Sequence, residues 1–124
     1  MKRFVLSTIL VSQCSFAGLC SDIRVGMLGL DTSHATAFTQ ILADTTAKDH
    51  IPGARVVAAV KGGSPDIESS WSRVEGYTKT LAEKYNVRLY DHIGAMSADV
   101  DAIMIESVDG RPHLGQFQLC LKSR

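Results

Sequence analysis

Three short segments hold most of the residues able to do chemistry: Gly29-Leu-Asp-Thr-Ser-His34, Lys61-Gly-Gly-Ser-Pro-Asp66 and Glu106-Ser-Val-Asp-Gly-Arg-Pro-His113. The first follows an apolar run, Ile23 to Leu28, and leads into a helix-like pattern. A strand, a glycine turn and a helix N-terminus in that order suit a dinucleotide, because backbone N–H groups there can face a pyrophosphate. The Gly-x-Gly-x-x-Gly pattern would put its second and third glycines where this chain has Asp31 and His34. A carboxylate at Asp31 either repels the phosphates or turns onto the helix N–H groups and caps them. His34 is either an ordinary first-turn residue or an imidazole placed to move protons near neutral pH.

The second segment departs from the pattern in a different way. An acidic residue normally ends the second strand and holds the adenosine ribose, but Lys61 stands there, before Gly62-Gly63. A lysine at that point is either a solvated loop residue or a partner for a 2′-phosphate, which favours NADP over NAD. In the third segment Glu106, Asp109 and His113 can converge on a cleft mouth, and Arg111 suits an acidic or phosphorylated group. The plainer reading makes Asp109-Gly110 a turn and Pro112 a helix starter. The candidate cofactor-binding set is Gly29, Leu30, Asp31, Thr32, Ser33, His34, Lys61, Glu106, Ser107 and His113, for NAD or NADP. No catalytic residue is assigned. His34, His50, His92 and His113 are too scattered for metal-ligand spacing, so no metal is expected.

The elements around these segments explain why they would meet. Ile23–Leu28 and Ala54–Val60 are apolar nearly throughout, as strands covered on both faces are. Arg88–Tyr90 and Val100–Ile105 read as two further strands. A helix to about Asp44, with Ala35, Phe38, Ile41 and Leu42 at helical spacing, starts after a cap at Thr32 or Ser33. A second helix, introduced by Ser69 or Ser70, runs to Tyr85. Trp71, Val74, Leu81 and Tyr85 are expected on its buried side, and Glu75–Lys79 as a surface pair. Ile93–Met96 fits one helical turn, and a last helix runs from Pro112 to Leu121. This alternation implies a doubly wound parallel α/β sheet, with ligands at the strand C-termini where strand order reverses. The three segments above are those loops.

Bulk properties set the limits. The chain has 124 residues, 45% of them hydrophobic and 21% charged, which suits one ordinary globular domain. Its 13 basic and 13 acidic residues cancel, so there is no basic field to hold nucleic acid. Residues 1–17 have the pattern of a secretory signal peptide: Lys2 and Arg3, an apolar core from Phe4 to Val11, and Ser15-Phe-Ala17 for cleavage. That core is too short for a stable membrane span. The expected organisation is therefore a leader over residues 1–17, one domain over 18–124, and export to the periplasm or medium. Cys120 falls on an apolar helix face and reads as a small buried hydrophobe, with a disulfide to Cys20 as the alternative.

Together, Ile23-Arg-Val-Gly-Met-Leu-Gly29, Leu81-Ala-Glu-Lys-Tyr-Asn-Val-Arg-Leu-Tyr90 and Val100-Asp-Ala-Ile-Met-Ile105 with Pro112-His113 resemble one family. It is the glucose–fructose oxidoreductase and inositol dehydrogenase (Gfo/Idh/MocA) family, over its N-terminal nucleotide-binding domain. The resemblance covers about residues 23–121. It implies a Rossmann-like domain, joined to a substrate domain, that passes hydride between a sugar or polyol and a nicotinamide; the full-length protein is compatible with a homo-oligomer. The chain departs from the family at Asp31, His34 and Lys61. It also stops at Arg124, before the Glu-Lys-Pro segment that bears the family's catalytic lysine. The sheet is thus expected to be incomplete at its C-terminus, and the chain alone inactive. Lys122 lies before that missing segment and does not take its role. A secreted, non-catalytic module that has lost the cofactor is the competing expectation.

Overall fold

The computed structural model describes residues 21–123; the expected leader and Cys20 lie outside them. Eight elements alternate: β1 (Ile23–Leu28), α1 (Ser33–Ala43), β2 (Ala54–Val60), α2 (Glu68–Tyr85), β3 (Arg88–Tyr90), α3 (Ile93–Ser97), β4 (Ala102–Ile105) and α4 (His113–Lys122). The four strands form one parallel sheet in the order β3-β2-β1-β4. The chain builds outward from β1 through β2 to β3, then crosses back to lay β4 on the other side of β1. That reversal opens a crevice at the C-terminal ends of β1 and β4, where open α/β sheets bind their ligands.

Alternation along the strands sends side chains to two cores. Val25 and Met27 of β1 meet Ala35 of α1 and Leu81 of α2, with Met104 of β4 at the margin. On the opposite face Leu28 packs with Ile93 of α3 and Cys120 of α4, beside Val60, Ile103 and Ile105. Cys120 is buried there, as its position on an apolar helix face predicts. Gly26 points to the same side, where an added Cβ would lie 3.0 Å from Met96 Sδ. Both faces of β1 are therefore covered, which is why its sequence shows little polar alternation. β2 carries a bulge: Val25 pairs with Val56 but Gly26 with Ala58, leaving Val57 as an extra residue. The bulge lets Val56 and Ala59, three apart, join one core.

The structure corrects four local expectations. α2 begins at Glu68 with Ile67 as its N-cap and no side-chain cap bond; Ser70 does not cap it, because its hydroxyl is used elsewhere. Trp71 is not buried but 54% exposed, and Val74, Ser70, Thr78 and Leu81 form the buried stripe instead. Glu75 pairs with Lys61, at 2.8 Å, where a pair with Lys79 was expected. β4 is also shorter than expected, starting at Ala102. Asp101 precedes it, its N–H bonded to Arg24 O at 2.8 Å and its carboxylate accepting from Arg24 N at 2.8 Å.

Candidate functional site at the ends of β1 and β4

The glycine turn is clasped by both neighbouring loops. Gly29 has φ +91°, a left-handed conformation that favours glycine. Its N–H donates to Val60 O at 3.1 Å, and the Leu30 N–H to Lys61 O at 2.6 Å, tying the turn to the end of β2. A Cβ on Gly29 would lie 2.6 Å from Ser107 N, and one on Gly62 would lie 2.9 Å from Gly29 Cα. The loops after β2 and β4 thus touch the turn through their backbones. Leu30 is fully buried in the α1/α2 core, so within the candidate set it supports the turn rather than facing the crevice.

Asp31 settles into neither arrangement that its sequence position suggests. Its carboxylate is fully buried and turned away from α1. It accepts the Ser70 hydroxyl at 2.6 Å and the Val108 N–H at 3.2 and 3.3 Å. Thr32 caps α1 in its place, accepting from His34 N at 3.3 Å. Ser70 Oγ also accepts the Ser64 N–H at 2.8 Å. One carboxylate therefore joins the β1 turn, the first turn of α2 and the loop after β4. Burying such a charge is costly unless hydrogen bonds satisfy it, and here they do.

A second polar cluster closes the same loops from above. Ser64 Oγ donates to Asp109 Oδ2 at 2.6 Å. Arg111 Nε contacts both Asp109 oxygens at 3.0 and 2.9 Å, and its Nη2 reaches Asp66 at 2.9 and 2.8 Å. The bonds from the Arg111 guanidinium and from Ser64 hold the Asp109 carboxyl well below the usual carboxylate range. The same pairing raises Arg111 above its ordinary value. Arg111 thus faces acidic groups, as its chemistry suggests, and in this structure those groups are the protein's own.

The rest of the candidate set divides between two places. Glu106 directly follows β4, only 14% exposed in its side chain, with Oε2 3.6 Å from His34 Nδ1 across the crevice. His34 also lies against Phe38, with ring centroids 5.5 Å apart. Ser33 and His34 are exposed at the start of α1. His113 Nε2–H donates to Ser107 O at 2.7 Å, and Gln116 Nε2 donates to Ser107 Oγ at 3.0 Å, so both fasten the β4 loop. Lys61 stands apart at the end of β2, beside a cavity of about 340 Å³ formed with Leu89, Tyr90 and Asp91. Between the β2 and β4 loops lies a second cavity of about 450 Å³, lined by Gly62, Ser64, Asp66, Ser107, Arg111 and Gln116 among others.

Ser64, Asp66, Ser70 and Gln116 were not in the sequence-based candidate set. Ser64 and Asp66 could have been found, since both lie in the glycine–proline loop at the expected ligand end. Ser70 had a helix-cap explanation that hid its contact with Asp31. Among the described residues no group of three His, Cys, Asp or Glu side chains is arranged to hold a metal ion, and no helix is long and apolar enough to cross a membrane.

No family model and no curated protein matches the chain. Among solved structures, a myo-inositol dehydrogenase of Lactobacillus casei, determined in complex with NAD(H) and myo-inositol, is similar over 82% of this chain. Sequence identity is 21% and the TM-score is 0.51. The fold is Rossmann-like. The expected α/β class therefore holds. The chain spans 26% of the length of that dehydrogenase, and at this identity the likeness concerns the fold.

Proposed function

We propose that the chain is the nucleotide-binding part of a nicotinamide-dependent oxidoreductase acting on sugars or polyols. The observation that carries this reading is the corner between β1 and β4. There a left-handed glycine and a helix capped by Thr32 present the exposed Ser33 and His34 beside Glu106. A helix N-terminus at a switch point is suited to a pyrophosphate, and Asp31 keeps its carboxylate off it by turning to Ser70 and Val108. The residues present fit a dinucleotide in part. Ser33, His34 and Glu106 border the corner, and Lys61 borders the cavity at the end of β2, where an adenosine ribose or its 2′-phosphate would lie. A bound nicotinamide would supply the hydride acceptor. The chain's own residues would orient it and, through the His34–Glu106 pair, hold a proton at the crevice mouth. Fold similarity to a dehydrogenase solved with NAD(H) and myo-inositol supports the choice of cofactor and substrate class. Export by the residue 1–17 leader belongs to the same proposal.

A second reading is favoured by one observation. Gly62 and Ser107 lie in backbone contact with Gly29, and Asp31 holds the loops in place. Such closure suits an exported module that kept the fold and gave up the nucleotide. Calorimetric titration of the chain with NAD and NADP separates the two. The proposal expects saturable binding, with NADP weakened about tenfold in Lys61→Glu, and no polyol-dependent change in nicotinamide absorbance from this chain alone. Absence of heat at millimolar nucleotide would leave the second reading standing.

A further inference from the structure

The two carboxylates around Arg111 are not equivalent. Asp109 is 8% exposed; it holds the guanidinium through Nε and, at 2.8 Å, through Nη2, takes the Arg111 backbone N–H at 2.9 Å and is itself held by Ser64. Asp66 is 62% exposed in its side chain and touches only Nη2, a nitrogen that it shares with Asp109. An ion pair that is more than half exposed on both sides contributes little to stability and is readily exchanged. The buried pair sets the direction of the arginine, and the exposed pair occupies its open end. Asp66 also sits on a loop that leaves β2 through two consecutive left-handed glycines, Gly62 at φ +65° and Gly63 at φ +102°. The guanidinium, with Ser64, Ser107 and Gln116, borders the cavity of about 450 Å³ between the loops.

We infer that Arg111 is an anion-binding residue of this cleft, and that Asp66 holds the place of a carboxylate or phosphate carried by a polyhydroxylated substrate. The inference names a substrate class for the cleft and rests on the proposed function only for the chemistry that follows binding. A planar guanidinium fork matches a carboxylate or phosphate through two parallel hydrogen bonds, which a neutral polyol does not offer. Ser107 and Gln116 line the cavity with hydroxyl and amide groups suited to the remaining hydroxyls. Two carboxylates on one guanidinium leave the cluster with an excess negative charge. An incoming anion therefore enters by displacing Asp66 rather than by adding to it. Internal occupation of this kind lowers apparent affinity by the fraction of time that the site is filled.

The test uses the whole chain and follows the Arg111 side-chain N–H signal by NMR during three titrations: inorganic phosphate, glucuronate and neutral myo-inositol. Saturable shifts are expected with at least one anion, and none with myo-inositol at equal concentration. Phosphate alone would mark a phosphomonoester, and glucuronate alone a sugar acid. Asp66→Asn should tighten the responding anion about tenfold, since it removes the internal competitor and keeps the Asp109 pair. Arg111→Lys should weaken it at least tenfold by losing the fork. Near-ultraviolet circular dichroism checks that both variants keep their packing, and the Asp66 variant carries the test if Arg111→Lys does not fold. Equal response to myo-inositol, unchanged affinity in Asp66→Asn, or no anion binding to either protein would overturn the inference. Nucleotide titration in parallel keeps the two conclusions separate. Nucleotide binding without anion binding defeats the inference alone, and the reverse defeats the nicotinamide reading alone.

Discussion

The two ends of the sheet are held together in different ways. At the C-terminal end, loops distant in sequence are sewn through buried carboxylates: Asp31 to the Ser70 hydroxyl and the Val108 N–H, and Asp109 to Ser64. At the N-terminal end the connections are exposed or local. Arg24 pairs with Asp101 at 2.9 Å with both side chains about half exposed, and His50 Nδ1–H donates to Ile41 O at 3.0 Å. A larger cavity, about 680 Å³, lies at this looser end among His50, Pro52, Arg55 and Tyr85. The density of polar contacts joining separate loops points to the crevice instead.

Removing the Asp31 carboxylate is the strongest test of this contrast. Asp31→Ala leaves the Ser70 hydroxyl and the Val108 N–H buried without their acceptor, at a cost of about 2–3 kcal/mol. Thermal unfolding should shift down by roughly 10–20 °C. A shift of only a degree or two would mean that the loops are not held by Asp31.

Two glycines allow a matched comparison. Gly29 and Gly53 have nearly the same φ, +91° and +92°, at opposite ends of β1's surroundings. A Cβ on Gly29 would collide with Ser107, whereas one on Gly53 meets nothing within 4 Å. Gly53→Ala should therefore cost only the backbone penalty, about 1 kcal/mol. Gly29→Ala adds overpacking and should cost about 3 kcal/mol in denaturant unfolding. Equal costs would show that the crowding at the crevice relaxes freely.

The smallest effect belongs to the exposed pair. Arg24 bonds hold Asp101 down at about 2, below an unfolded value of about 3.9. A depressed folded-state value means that this contribution is present above about pH 4 and is lost as pH falls toward 2. In Asp101→Asn the acid side of the stability curve should flatten slightly over that window. Stability near neutral pH should change little, because exposed pairs contribute little. A large loss at pH 7 would show that the N-terminal end depends on this pair more than its exposure suggests.

Much of the frame was legible in the residue pattern. Both covered strands, β1 and β2, occupy the stretches that their nearly continuous apolar runs mark, and the three ligand loops fall where a parallel sheet requires them. The order of elements follows from the alternation of strand-like and helix-like runs. What lay beyond reading was the pairing of side chains across those loops. Nothing in the local pattern around Asp31 announces Ser70, and nothing around Ser64 announces Asp109. Such contacts have no period in the sequence; they exist only once the sheet has brought three loops to one edge. Trp71 misled for a related reason, because helical spacing marks a stripe without saying how wide a neighbour will cover it.

The extra residue in β2 has a consequence for how this strand can change. Because Val57 stands unpaired, the lower and upper halves of β2 run in opposite phases of the same alternation. Deleting that residue would make the ladder regular and set Val56 and Ala59 two apart, both still on the face that they share with α1 and α2. The irregularity thus acts as a phase shifter: it absorbs one extra residue, so the strand can vary in length at this point without exchanging its two cores.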